Sequence, residues 1–105
     1  DLAFMGMGPD GHVASLFPGK PDPAHGLLVI AEHDSPKPPS QRLSFTFEAL
    51  NTALNIWFTV AGADKAAAVA VALGPKADQL PAGRVRGRAS TIWLLDDAAA
   101  SGLAV

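Results

Sequence analysis

Four short apolar runs decide most of what this chain can become: Asp1–Met7, Leu27–Ala31, Asn55–Ala61 and Thr91–Leu95. They are short for helices and too uniformly apolar for strands with one wet face. Strands buried on both sides fit them best, and such strands need helices to cover them. The clearest covering segment is Asp64–Leu73, which is alanine-rich and stops at Gly74-Pro75, so it predicts a helix. Shorter helices are predicted at Glu48–Leu54 and Asp96–Ser101, and Arg42–Phe47 alternates like a half-buried strand. Pro36, Pro38 and Pro39 exclude helix interior and central strand from Ser35–Ser40. Residues 75–90 are predicted loop, with Arg84, Arg86 and Arg88 facing solvent. The pattern is that of one α/β unit whose sheet is covered on both faces.

The chain opens inside its first strand, with no initiator Met and no polar lead-in before Leu2-Ala3-Phe4-Met5. A portion of a larger domain is therefore expected. Net charge is −2 and the pI is about 5.8, which argues against a general nucleic-acid or membrane-surface partner. There is no cysteine, so disulfides and thiolate chemistry are excluded. No apolar run reaches the roughly 18 residues of a membrane span.

Gly6, Gly8 and Gly11 follow the first strand in the pattern Gly-x-Gly-x-x-Gly. Alone, that pattern marks a dinucleotide site, with Glu32 as the ribose-binding acid. A dinucleotide unit also needs a full crossover helix. Here His12–Phe17 leaves room for barely one and a half helical turns before Pro18-Gly19, and Pro21 and Pro23 follow. A plain tight turn would explain Gly8 and Gly11 but not a histidine at the predicted start of a helix. There, unpaired N–H groups and the helix dipole disfavour the imidazolium, so His12 is expected to stay neutral, as a general base must. Asp10 is placed to cap the turn or orient the ring.

Lys65 falls in the first turn of the predicted 64–73 helix, where the dipole repels a cation. It is either a solvated lysine beside Asp64 or a ligand for an anion such as phosphate at the helix N-terminus. Lys37 in the proline-rich loop and Arg42 after it are either solvated charges or further ligands for phosphate or a sugar carboxylate region. His25 and His33 lack metal-ligand spacing to His12 or to each other, and no metal or cofactor is expected. Met5, Met7, Trp57 and Trp93 are expected in the core.

Gly6-Met7-Gly8-Pro9-Asp10-Gly11-His12-Val13-Ala14-Ser15-Leu16-Phe17-Pro18-Gly19 resembles the signature of the 6-phosphogluconolactonases. Three further segments occur in that family's order: Asp34-Ser35-Pro36-Lys37-Pro38-Pro39 with Arg42, Ala61-Gly62-Ala63-Asp64-Lys65-Ala66, and Trp93-Leu94-Leu95-Asp96. The resemblance covers essentially the whole chain. It implies a Rossmann-like α/β sheet of the phosphosugar isomerase/CoA-transferase type, with residues 1–105 forming the C-terminal part of a single domain. It also implies cytosolic hydrolysis of 6-phosphoglucono-1,5-lactone without a cofactor. His12 would be the base, assisted by Asp10. Backbone N–H groups of Gly8–Gly11 would face the oxyanion, and Lys65 with Arg42 or Lys37 would hold the phosphate. The family's N-terminal half, with its Ser/Gly/Thr-rich phosphate loop and Asp-Glu-Arg segment, is absent from this sequence. The related hexosamine-6-phosphate deaminases share the Asp-Gly-His turn but continue with Phe-Asn-Glu-Pro. Here Ala14-Ser15-Leu16-Phe17-Pro18 lacks that glutamate, which favours the lactonase. A non-catalytic sugar-phosphate-binding fragment is the third reading.

Overall fold

The computed structural model describes residues 1–103. Its strands are β1 (Leu2–Met5), β2 (Val29–Glu32), β3 (Arg42–Phe45), β4 (Asn55–Val60) and β5 (Ser90–Leu95). Its α-helices are α1 (Phe47–Leu50), α2 (Ala66–Ala72) and α3 (Pro81–Arg84). Short 3₁₀ turns precede α2 and α3 at Ala63–Lys65 and Ala77–Gln79.

The main sheet is parallel, in the order β1-β4-β5. The register sets Ala3 and Met5 beside Ile56 and Phe58, with Thr91 and Trp93 on the far side. Because side chains alternate along a strand, Ile56, Phe58 and Val60 share one face. They are buried there with Met5, against Val69 and Ala72 of α2, Ala82 of α3, and Val85. Trp93 stacks on Phe58, with ring centroids 4.0 Å apart. The opposite face carries Leu2, Phe4, Ile92 and Leu94, and Phe4 is 65% exposed. The expectation of a sheet covered on both faces is thus corrected for the described residues. Both α2 and α3 pack on the face that carries Ile56, Phe58 and Val60.

The run 27–31 was expected as a buried strand and is not one. It gives β2, which pairs antiparallel with β3 in a separate two-stranded ribbon. Leu27, Leu28 and Val29 are half-exposed, and Leu43 of β3 is 78% exposed. Apolar composition alone does not separate a central strand from an apolar ribbon.

His12–Phe17 forms no helix. Val13 and Leu16 exchange backbone hydrogen bonds of 3.4 and 2.9 Å across a tight turn. Ala14 takes φ 48°, a conformation that interrupts any helix. Asp96–Ser101 is likewise a run of turns. The 75–90 segment, expected as loop, contains α3, with Pro81 in its first turn where the missing N–H costs nothing. Arg84 does not simply face solvent. It bonds Asp22 through both terminal nitrogens (2.7 and 3.0 Å) and lies 4.1 Å from the Phe47 ring centre.

Candidate active site

In a parallel sheet the loops that leave the strands' C-terminal ends gather along one edge, where open α/β folds hold their ligands. Three such loops meet here. β1 runs into Gly6–His12, β4 into the Gly62–Lys65 turn, and β5 into Asp96.

The first loop closes tightly on itself. The Gly11 N–H donates to the Gly8 carbonyl at 2.9 Å, and the Gly8 N–H to the His12 carbonyl at 3.0 Å. Gly11 has φ +87°, open to glycine at little cost, and a Cβ there would stand 2.7 Å from Leu80. A Cβ on Gly8 would fall 2.2 Å from two atoms of the His12 ring and 2.8 Å from Asp10 Oδ1. Gly8 therefore provides the space that His12 and Asp10 fill. The oxyanion role expected of the Gly8 and Gly11 amides does not fit this geometry, because both N–H groups donate within the loop. Among the described residues, the Asp10 N–H is the one amide of Gly8–Gly11 left without an acceptor.

His12 Nδ1 lies 2.6 Å from Asp10 Oδ1, which also accepts from the His12 backbone N–H at 3.1 Å. Burial alone would push the Asp10 carboxyl up. The hydrogen bonds from His12, and the charges of His12 and Lys37, outweigh it and hold the carboxyl below its ordinary range. Asp10 is thus an acceptor, so in the neutral ring the proton belongs on Nδ1 and the lone pair on Nε2. No helix follows His12, so its expected dipole plays no part; the carboxylate sets the tautomer instead. The His12 side chain is 18% exposed. It lines a shallow, open depression with Gly6, Met7, Gly8 and Ala14. A more enclosed groove lies elsewhere, between Ser15–Pro23 and Asp78–Arg84, and includes neither His12 nor Lys65.

Lys65 ends the 3₁₀ turn and caps α2. Its Nζ donates to the Met7 carbonyl at 2.7 Å, which brings the ammonium to the loop that carries His12. Lys37 stands close enough to Asp10 to lower its pKa. Arg42 points elsewhere than expected: Nε donates to the Pro39 carbonyl (3.0 Å), and Nη2 to those of Lys37 and Pro38 (both 2.9 Å). The structure thus gathers Gly8, Asp10, Gly11, His12 and Lys65, with the charge of Lys37 acting on Asp10, and turns Arg42 onto the proline loop.

Two further side chains shape the site, Phe17 and Asp96, which stand in the resembling segments but were assigned no role there. Phe17 packs its ring 4.8 Å from that of His12. Asp96 accepts from the Gly62 N–H at 3.1 and 3.2 Å and from the Ala99 N–H at 2.8 Å, tying the end of β5 to the turn that presents Lys65. Its carboxyl is held below the ordinary range by the backbone bonds from Ala99 and Gly62. The cue for Asp96 was an acid directly after the last apolar run.

Fold and site together define a parallel α/β unit of the phosphosugar isomerase type, with an Asp–His pair at the strand ends. Residues 1–93 match the family described as glucosamine-6-phosphate isomerases/6-phosphogluconolactonase, and the chain belongs to that family. It is 51% identical to a 6-phosphogluconolactonase of Streptomyces coelicolor, over 98% of this chain and 40% of that protein. It is 46% identical to 6-phosphogluconolactonase 3, chloroplastic, of Arabidopsis thaliana, over 98% of this chain and 32% of that one. The chain therefore spans less than half the length of these relatives. Among solved structures, the 6-phosphogluconolactonase of Thermotoga maritima superposes with a TM-score of 0.76 at 40% identity, covering 90% of this chain and 42% of its own. A monomeric glucosamine-6-phosphate deaminase shares the fold, with a TM-score of 0.72 at 21% identity over 98% of this chain and 48% of its own. No described helix is long and apolar enough to cross a membrane.

Proposed function

We propose that this chain is the C-terminal part of a cytosolic 6-phosphogluconolactonase, and that it supplies the base for hydrolysis of 6-phosphoglucono-1,5-lactone to 6-phosphogluconate. The observation that carries this reading is the 2.6 Å contact between Asp10 and His12 Nδ1, which leaves Nε2 as the basic nitrogen. His12 Nε2 takes a proton from water as the oxygen attacks the lactone carbonyl. The resulting imidazolium, stabilised by the Asp10 carboxylate, returns the proton to the ring oxygen as the acyl C–O bond breaks. The Asp10 N–H is the candidate in this turn to meet the developing oxyanion. Lys65 and Lys37 hold the phosphate and so position the carbonyl. A lactone is already an activated ester, and the scheme uses no metal.

The test is His12→Ala in the full-length protein. Turnover should fall at least about 100-fold, a typical loss for a general base, with the melting temperature nearly unchanged. Spontaneous lactone opening requires an enzyme-free blank. Near-normal turnover in a folded variant removes His12 from the mechanism. Ammonia release from glucosamine 6-phosphate would reassign the protein to the deaminase branch.

A further inference from the structure

We propose that Phe17 and Arg42 are positioning residues that hold the His12 ring in its reactive orientation, and that Arg42 acts through this stack rather than as a substrate ligand. The inference rests on His12 being the base. A single hydrogen bond at Nδ1 fixes one point of an imidazole but not the tilt of its plane. Phe17 supplies the missing restraint. Its ring lies 4.8 Å from that of His12, tilted by 38°, and the residue is only 4% exposed. The Val13–Leu16 turn folds Phe17 back towards His12, and the Ser15 N–H anchors that turn to Ser44 Oγ on β3 at 3.0 Å.

Arg42 completes the arrangement. Its guanidinium carbon stands 5.5 Å from the Phe17 ring centre. Three of its N–H···O contacts go to the carbonyls of Lys37, Pro38 and Pro39. One planar fork thus joins the aromatic wall behind His12 to the loop that carries Lys37. A lysine cannot do this. Its ammonium keeps the charge but has no flat face to stack and no fixed fork to span three carbonyls. That difference separates the two roles open to Arg42. A phosphate ligand would tolerate lysine in large part, whereas a positioning residue would not.

The experiment measures kcat and KM of the full-length protein on the phosphorylated lactone and on the unphosphorylated one. The variants are Arg42→Lys, Phe17→Leu, Phe17→Tyr and the Arg42→Lys/Phe17→Leu pair. Misplacing a reacting group by about 1 Å can cost about 100-fold. Arg42→Lys and Phe17→Leu should each lower kcat on both lactones by about 10- to 100-fold, with KM held within about twofold. Phe17→Tyr should restore most of the rate, and the double variant should lose less than the product of the single losses. A rise in KM confined to the phosphorylated lactone would make Arg42 a ligand and overturn the inference, as would an unchanged kcat. Arg42→Lys carries the test alone if Phe17→Leu fails to fold. Nitrogen-15 spectra of the His12 ring give a second readout. The parent should show the proton on Nδ1, and Arg42→Lys the same tautomer with displaced ring resonances, because Asp10 still holds Nδ1 while the Phe17 ring shifts against the imidazole. An unaltered ring spectrum counts against the proposal even in a protein without lactonase activity. Loss of His12-dependent hydrolysis in the parent itself counts instead against the functional reading.

Discussion

Gly8→Ala is the most demanding check on the site, because it adds one methyl group and removes no polar atom. That methyl would sit 2.2 Å from His12 Nδ1 and Cε1 and 2.8 Å from Asp10 Oδ1, well inside the 3.4 Å at which ordinary contact begins. Gly8 has no positive φ, so alanine meets no backbone strain, and the three nearest atoms it would meet all belong to these two side chains. The cheapest relief is for the half-buried His12 ring to swing outward and abandon Asp10. A hydrogen bond to a charged group contributes about 1.5–3 kcal/mol. At about 1.4 kcal/mol per tenfold, its loss corresponds to a fall in kcat of roughly 10- to 150-fold. The assay is lactone hydrolysis by the full-length protein, with circular dichroism melting alongside. The fold should persist while turnover falls. A Gly8→Ala protein with parental kcat would show that the Asp10–His12 contact is not what sets the rate.

Further outcomes follow from the same geometry. Lys65→Ala should raise KM for the phosphorylated lactone several-fold and leave the unphosphorylated control unchanged; equal losses on both would make Lys65 structural. Asp10 titrates below the ordinary carboxylate range, so its stabilising contribution is complete above that range and fades as the pH falls through it. Denaturant midpoints of the parent and of Asp10→Asn should therefore differ at neutral pH and converge on acidification; a constant gap would contradict this. The 105-residue chain alone exposes Phe4, Ile92 and Leu94 on one sheet face and Leu43 and Phe45 on the ribbon. It should associate at micromolar concentration and show no lactonase activity above the blank; light scattering from a stable monomer would refute that.

β4, β5 and the long helix were legible because short uniform apolar runs, and an alanine-rich segment stopped by Gly74-Pro75, mark them. β4, β5 and α2 lie within a residue or two of their expected bounds. The turn at Val13–Leu16 was not legible, because Ala14 at φ 48° has no cue of glycine or asparagine. α3 was hidden by Pro81 and Gly83, residues that usually end helices but here open one and lie buried in it. In the site, Asp10, His12 and Lys65 stood out as polar residues at chemically informative positions. The turning away of Arg42 depends on three carbonyls brought together by a proline loop. Which face of the sheet stays open depends on where helices pack, a long-range fact that local pattern does not carry.

The parallel ladder of β1, β4 and β5 has a consequence for how such a protein can change over generations. Its pairing consists of main-chain bonds, indifferent to which apolar side chains the strands bear, while the reactive groups hang from loops beyond the strand ends. The scaffold and the chemistry are thus inherited in separable parcels. A deaminase shares this scaffold at 21% identity over the 48% of its chain that superposes. The residues between Gly6 and Pro18 lie beyond the end of β1, so substitutions there leave the ladder's main-chain bonds in place.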